Sequence, residues 1–202
     1  MTSRRTFTAA GILVLAAAVA FVVYTVFGGK VSDSSVEAGF ARDMSSHHRQ
    51  AVEMSFIIRD RTDDEDVRRL AYDIATSQSA QIGMMTAWLD AWGLPHVDPA
   101  GRMRWMSGHP GHTTVAPGAP MPGMATDAQL KELRAAHGRA AEILFLKLMI
   151  AHHQGGVDMA RAAVDRAKEP EVQRLARTMV NGQRSEIELM NGMLAEREKQ
   201  QG

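Results

Sequence analysis

"MSSHHRQAVEM" spans Met44–Met54, and "MIAHHQGGVDM" spans Met149–Met159. Each stretch carries two adjacent histidines, a methionine three residues before the first and a methionine seven after it. At 100° per residue, Glu37, Phe40, Met44, His47, His48, Ala51 and Met54 fall within about 120° of one another, which marks one face of a helix. Arg42, Arg49 and Glu53 fall on the opposite side. The histidines therefore sit on the face that a packed helix turns inward.

The two stretches are offset by 105 residues, and the same shift lays most of the first half of the chain on the second. Glu37 meets Glu142, and Phe40 meets Phe145. "VRRLA" at Val67 meets "VQRLA" at Val172, and Gln78, Ile82, Met85 and Leu89 meet Gln183, Ile187, Met190 and Leu194. "TDDE" at Thr62–Glu65 has the form of a capping box, so a second helix is expected to start there. Its inner stripe is Val67, Leu70, Ile74, Gln78, Gln81, Ile82, Met85 and Leu89, and "WGLP" stops it at Gly93 and Pro95. "TDAQ" at Thr126–Gln129 resembles another capping box, and the helix it opens is expected to bend at Gly138 and run to about Lys168. Pro170 suits the first turn of a last helix, whose inner stripe is Val172, Leu175, Met179, Glu186, Ile187, Met190 and Leu194. The expected fold is all-α. Residues 35–198 form a four-helix bundle from a duplicated helix hairpin (about 35–93 and 127–198), with 94–125 as a Met/His-rich crossover loop.

The N-terminus is a separate object. Thr8–Phe27 is a run of twenty uncharged residues, enough to cross a bilayer as one helix. Arg4 and Arg5 precede it, which places the N-terminus in the cytoplasm and the rest outside. Residues 1–30 are read as a transmembrane anchor, with a cleaved signal peptide as the alternative. The remaining composition excludes more than it offers. Lys+Arg and Asp+Glu balance at 23 each, so nothing argues for nucleic acid as a partner. Cysteine is absent, which rules out disulfides and thiolate metal sites.

Imidazole nitrogen and thioether sulfur are neutral donors that together suit Cu(I), while imidazole alone also suits Cu(II), zinc or nickel. Met44, His47, His48 and Met54, with Met149, His152, His153 and Met159, thus form one candidate ligand set. The alternative is a polar structural core, since methionine commonly fills gaps between helices. Glu37, Glu142 and Glu186 are the inward carboxylates, placed either to orient histidines through their other ring nitrogen or to pair with cations near helix ends. The loop adds Met103, Met106, His109, His112, Met121 and Met124, a second candidate set that a flexible segment could wrap around a metal; the alternative is a disordered linker of biased composition. No nucleophile elbow, phosphate loop or dinucleotide fingerprint is present.

"FARDMSSHHRQAVEMS", "LAYDIATSQSAQIGMMTAWL", "MPGMATDAQLKEL", "FLKLMIAHHQGGVDMA" and "LARTMVNGQRSEIELMNGML" resemble, in that order, the bacterial family catalogued as domain of unknown function 305. The resemblance covers about residues 36–197. It implies a ferritin-like four-helix fold, an exported or membrane-attached location and, from some members, copper binding. Carried over, the matching positions are Met44, His47, His48, Met54, Met149, His152, His153 and Met159. The family usually has Glu where this chain has Gln81, which argues against a carboxylate-bridged metal pair. The expected function is an extracytoplasmic, membrane-anchored metal-binding protein that sequesters or hands on copper, or another transition metal, with no catalytic step. A ferritin-like di-metal oxidoreductase and a structural bundle of the cell envelope are the alternatives. A second copy of the chain or another envelope protein is the partner left open.

Overall fold

The computed structural model describes residues 31–98, 100–107 and 120–199. The chain divides into two compact units after Ser32, and every described helix belongs to the second. The membrane-crossing helix expected at 8–27 lies outside the described residues. Among the described residues, no helix is long and apolar enough to cross a membrane.

The described chain is all-α, with five α-helices, one 3₁₀ turn and no strand. Helix α1 is Val36–Arg59, α2 is Glu65–Trp92, α3 is Asp127–Ala135, α4 is Gly138–Arg166 and α5 is Pro170–Lys199; the 3₁₀ turn is Arg104–Met106. The start of α2 differs from expectation. Its N-cap is Asp64, whose side chain accepts from Val67 N–H, and not Thr62. Gly93 ends α2 in the left-handed conformation (φ 67°), where a side chain would be strained. The Thr126–Gln129 box is present in full. The helix does not bend at Gly138 but breaks at Ala136–His137, both extended, so α3 and α4 are separate.

Helices α1 and α2 pack along each other as one hairpin, α4 and α5 as a second, and the hairpins meet through α1 and α4. Ala51, Met54 and Ile58 of α1 share an apolar cluster with Ala141, Phe145, Leu146 and Met149 of α4. The C-terminal half of one central helix thus lies on the N-terminal half of the other, and the two run antiparallel. Val67, Leu70 and Ile74 of α2 and Met190 and Met193 of α5 complete the cluster.

The repeated glutamates tie each hairpin to the other's turn. Glu37 Oε1 accepts the backbone N–H of Lys168 and of Glu169, between α4 and α5. Glu142 accepts from Thr62 Oγ1 at 2.5 Å, between α1 and α2, and from Arg197 Nε at 2.7 Å. A carboxylate with several donors keeps its charge at low cost in the interior. Neither glutamate reaches a histidine in these bonds. Their place in the fold is at the hairpin ends.

Arg42, on the face expected to point outward, is buried. Its Nε donates to Pro95 O at 2.7 Å and its guanidinium pairs with Asp33. The segment after α2 folds back over α1. Trp105 packs edge-on against Phe40 with ring centroids 5.8 Å apart, and its Nε1–H donates to Asp43 Oδ2 at 2.9 Å. Gly39 makes this possible, because a Cβ there would overlap the Trp105 ring. Burial pushes the Asp43 carboxyl above its usual range, against the bonds from Met103 N–H and Trp105 that favour its charge.

Glu142→Ala would leave Arg197 and Thr62 without their shared acceptor in a buried place. It should destabilise the protein by about 3 kcal/mol in urea unfolding. Glu53→Ala, which breaks an exposed pair with Arg134, should cost no more than about 1 kcal/mol.

Candidate metal centre

Where α1 and α4 cross, all four paired histidines come together. His47, His48 and His153 are 0% exposed and His152 1%. The His47 and His152 rings lie 3.8 Å apart between centroids, tilted by 34°. His48 stands 6.4 Å from His47, and His153 stands 6.2 Å from His152. The sequence repeat therefore becomes a layer of four imidazoles across the molecule.

Each ring is held through Nε2. His47 Nε2 lies 3.1 Å from Pro122 O, and His152 Nε2 lies 3.0 Å from His47 O. A carbonyl only accepts, so in both rings Nε2 carries the proton. His48 Nε2 lies 2.7 Å from Gln81 Oε1, and His153 Nε2 lies 2.7 Å from Glu186 Oε2. Among the described residues, Nδ1 of His47, His48 and His153 is buried with no hydrogen-bond partner. Gln78 (both polar side-chain atoms) and Gln183 Oε1 are likewise buried and unpartnered. An unmatched buried polar atom costs about 1–3 kcal/mol, so this is an expensive layer unless something else binds to it.

Burial sets the charge state. It lowers His47 from 6.5 to about 4, partly opposed by the Pro122 bond. It lowers His48 to about 3, helped by the neighbouring His47. It lowers His152 well below 6.5, with His47, His153 and His48 adding repulsion. At neutral pH these three rings are uncharged. In His47 and His48, Nδ1 then presents a free lone pair.

Met44, Met54, Met149 and Met159 are fully buried. Met54 and Met149 belong to the apolar cluster on one side of the histidines. The antiparallel crossing puts Met44 and Met159 on the other side. Gly155 and Gly156, just after the second histidine pair, make room for protein groups. A Cβ on Gly155 would overlap Pro122 O, and one on Gly156 would overlap the Gln183 amide. The Pro122–Gly123 turn thus lies directly on α4 and against His47. Gln50 holds the same segment, donating to Ala125 O at 2.9 Å and accepting from Ala125 N–H at 2.7 Å.

Three of the loop thioethers are buried. Met106 is 1% exposed, Met121 0% and Met124 8%, so the loop's ends are packed into the fold. Met103 is half-buried, in the left-handed conformation (φ 61°) with its N–H on Asp43. His109 and His112 lie outside the described residues. Of the three inward glutamates, Glu186 alone bonds a histidine; Glu37 and Glu142 hold turns. Among the described residues, no three His, Asp or Glu side chains are grouped closely enough to hold a metal by themselves. Any ion at the layer would need the sulfur donors or rotation of the rings. Gln50 as the anchor of the loop was not anticipated. Its sequence signal is that it stands 105 positions before Gly155, so that a long amide in one half answers a glycine in the other.

Fold and site together define an all-helical protein whose two hairpins cross on a duplicated His-His helix. The sequence profile of the family described as domain of unknown function 305 matches residues 37–194, and the chain belongs to that family. A Streptomyces coelicolor member presumed to be secreted is 54% identical, over 82% of this chain and 96% of its own, with a TM-score of 0.75. A fragment of a Deinococcus radiodurans member is 37% identical, over 80% of this chain and 96% of its own, with a TM-score of 0.67. CopM, solved with Cu(II) bound, is 24% identical over 80% of this chain and 97% of its own, with a TM-score of 0.59. Its Cu(I)-bound form gives 22% and 0.62. At that identity the likeness is one of fold. No curated protein matches the chain.

The neutral histidines predict a pH dependence for the metal-free protein. Their native pKa values are depressed, so the unfolded chain binds more protons below pH 6.5. Their full contribution is present above pH 6.5. It falls by up to about 1.4 kcal/mol per pH unit for each ring as pH drops towards about 4 for His47 and about 3 for His48. Urea unfolding at pH 7, 6 and 5 should show this slope, and His47→Gln should flatten it. Gly155→Ala should push the Pro122 turn off α4. The readout is faster proteolysis between α2 and α3 with the helical circular dichroism unchanged.

Proposed function

We propose that this protein binds copper outside the cytoplasmic membrane, to sequester it or hand it on, and that the histidine layer is the binding site. The observation that carries this reading is the set of three buried imidazoles whose Nε2 is fixed by a protein oxygen while Nδ1 faces no partner. Metal-binding histidines are commonly held in this way, by an acceptor on the other nitrogen. His47, His48 and His153 would offer Nδ1, with His152 beside them. Met44, Met54, Met149 and Met159 would supply thioether sulfur from the two sides of the layer. Neutral nitrogen and sulfur donors suit a soft monovalent ion, and imidazole also accepts Cu(II). That CopM, a protein of the same fold, was solved with Cu(I) and with Cu(II) supports the choice of metal.

The finer architectural reading is a ferritin-like four-helix bundle over 35–198, its hairpins at about 35–93 and 127–198, joined by the loop 94–125. Residues 1–30 serve as membrane anchor or export signal, which agrees with the presumed secretion of the Streptomyces relative. His109 and His112, with Met103, are the further ligands the loop would offer to capture the ion. The placement of Glu37 and Glu142 at the hairpin turns favours binding over the di-metal oxidase reading, which needs several carboxylates around one metal pair.

The test is an anaerobic Cu(I) titration of the full chain in detergent against a competing chelator. Changing His47, His48, His152 and His153 to Gln should weaken binding at least about 100-fold. Affinity that survives those changes would move the site to the loop. No competition for Cu(I), with Fe(II) retained and oxygen consumed, would replace the copper reading with the oxidase.

A further inference from the structure

The two halves of the histidine layer are positioned alike and finished differently. His48 Nε2 lies 2.7 Å from Gln81 Oε1, and His153 Nε2 lies 2.7 Å from Glu186 Oε2. The residues of each pair are 33 positions apart, and the pairs coincide under the 105-residue shift. Amide and carboxylate oxygen therefore orient their rings equally well. What distinguishes them is charge. The Gln81 amide is neutral, whereas the Glu186 carboxylate sets a negative charge against a wholly buried ring. Glu37 and Glu142 are engaged at the hairpin ends and Asp43 with Trp105, so none of these supplies a matching charge to the His48 half.

A carboxylate bonded to the far nitrogen of an imidazole makes the near nitrogen a stronger donor. In a weakly screened interior it also offsets the charge of an ion held there. An ion with two charges gains more from this than an ion with one. Gln81 gives orientation without that offset.

Resting on the reading of the layer as a metal site, we infer that Glu186 is its specificity-determining positioning residue. Its charge biases the layer, on the His153 side, towards a divalent ion. Gln81 leaves the His48 side without that bias. The two sides of the duplicated layer are thus unequal towards the two oxidation states of copper.

The test uses the full chain in detergent, its Glu186→Gln and Gln81→Glu variants, and three probes titrated separately against chelators: Cu(II), Zn(II) and, without oxygen, Cu(I). Glu186→Gln should weaken Cu(II) and Zn(II) on the order of 10–100-fold while Cu(I) changes by no more than about threefold. The electron paramagnetic resonance spectrum of bound Cu(II) should change with it. Gln81→Glu should tighten Cu(II) and Zn(II) on the order of 10-fold with little change in Cu(I), a gain that a merely structural role for these residues does not produce. Equal losses for Cu(I) and Cu(II) in Glu186→Gln, or no loss of either, would overturn the inference, as would a Gln81→Glu protein with an unchanged divalent affinity. A wild-type chain that takes up none of the three ions would instead sink the metal reading itself, and this inference with it.

Discussion

The crossing of α1 and α4 at His47 and His152 is the constraint around which the rest is arranged. Two imidazole rings 3.8 Å apart, with His152 donating to the backbone carbonyl of His47, fix how closely the two central helices approach and in which register. From that point the antiparallel course of the helices places methionines above and below. It also brings the end of each hairpin to the other's turn. Moving the crossing by one turn would separate the rings and draw Glu37 and Glu142 away from Lys168 and Thr62. The polar centre and the polar clamps at the ends therefore hold a single register that the apolar cluster between them would enforce only loosely.

The order of the helices and their pairing were legible because they depend on periodicity and offset, which a sequence states directly. The 105-residue shift carries one hairpin onto the other, and Gly93, Thr126 and Pro170 each mark a helix end by backbone chemistry. The inward direction of Glu37, Glu142 and Glu186 was legible for the same reason. Their partners were not. Reach across to another hairpin depends on the crossing angle and offset of α1 and α4, which no spacing within one helix encodes.

The segment between the hairpins was the least legible part. Its composition, rich in Gly, Pro, Met and His, reads as open chain. Yet Trp105 and Met106 lie against α1, and Met121–Ala125 lies on α4. An aperiodic stretch can supply core residues singly, and single apolar residues leave no pattern. Arg42 shows the reverse effect. Helical phase assigned it to the outer face, and it is on that face, but the returning chain covers it and satisfies its donors with Pro95 O and Asp33. At the centre, the pairing of His48 with Gln81 and of His153 with Glu186 was latent in the sequence as a mismatch between otherwise matching halves.

The exchange of grips between hairpins has a thermodynamic consequence. Each hairpin carries one carboxylate that reaches the other's turn, and Glu142 is also held from within its own pair of helices by Arg197. Two separate hairpins would have to find each other in solution, and their association would weaken with dilution. With both halves on one chain, the partner is present at a fixed local concentration set by the tether. The assembly is then independent of how much protein is made. The two halves are also free to carry different residues at equivalent positions, which identical subunits related by a twofold axis could not do.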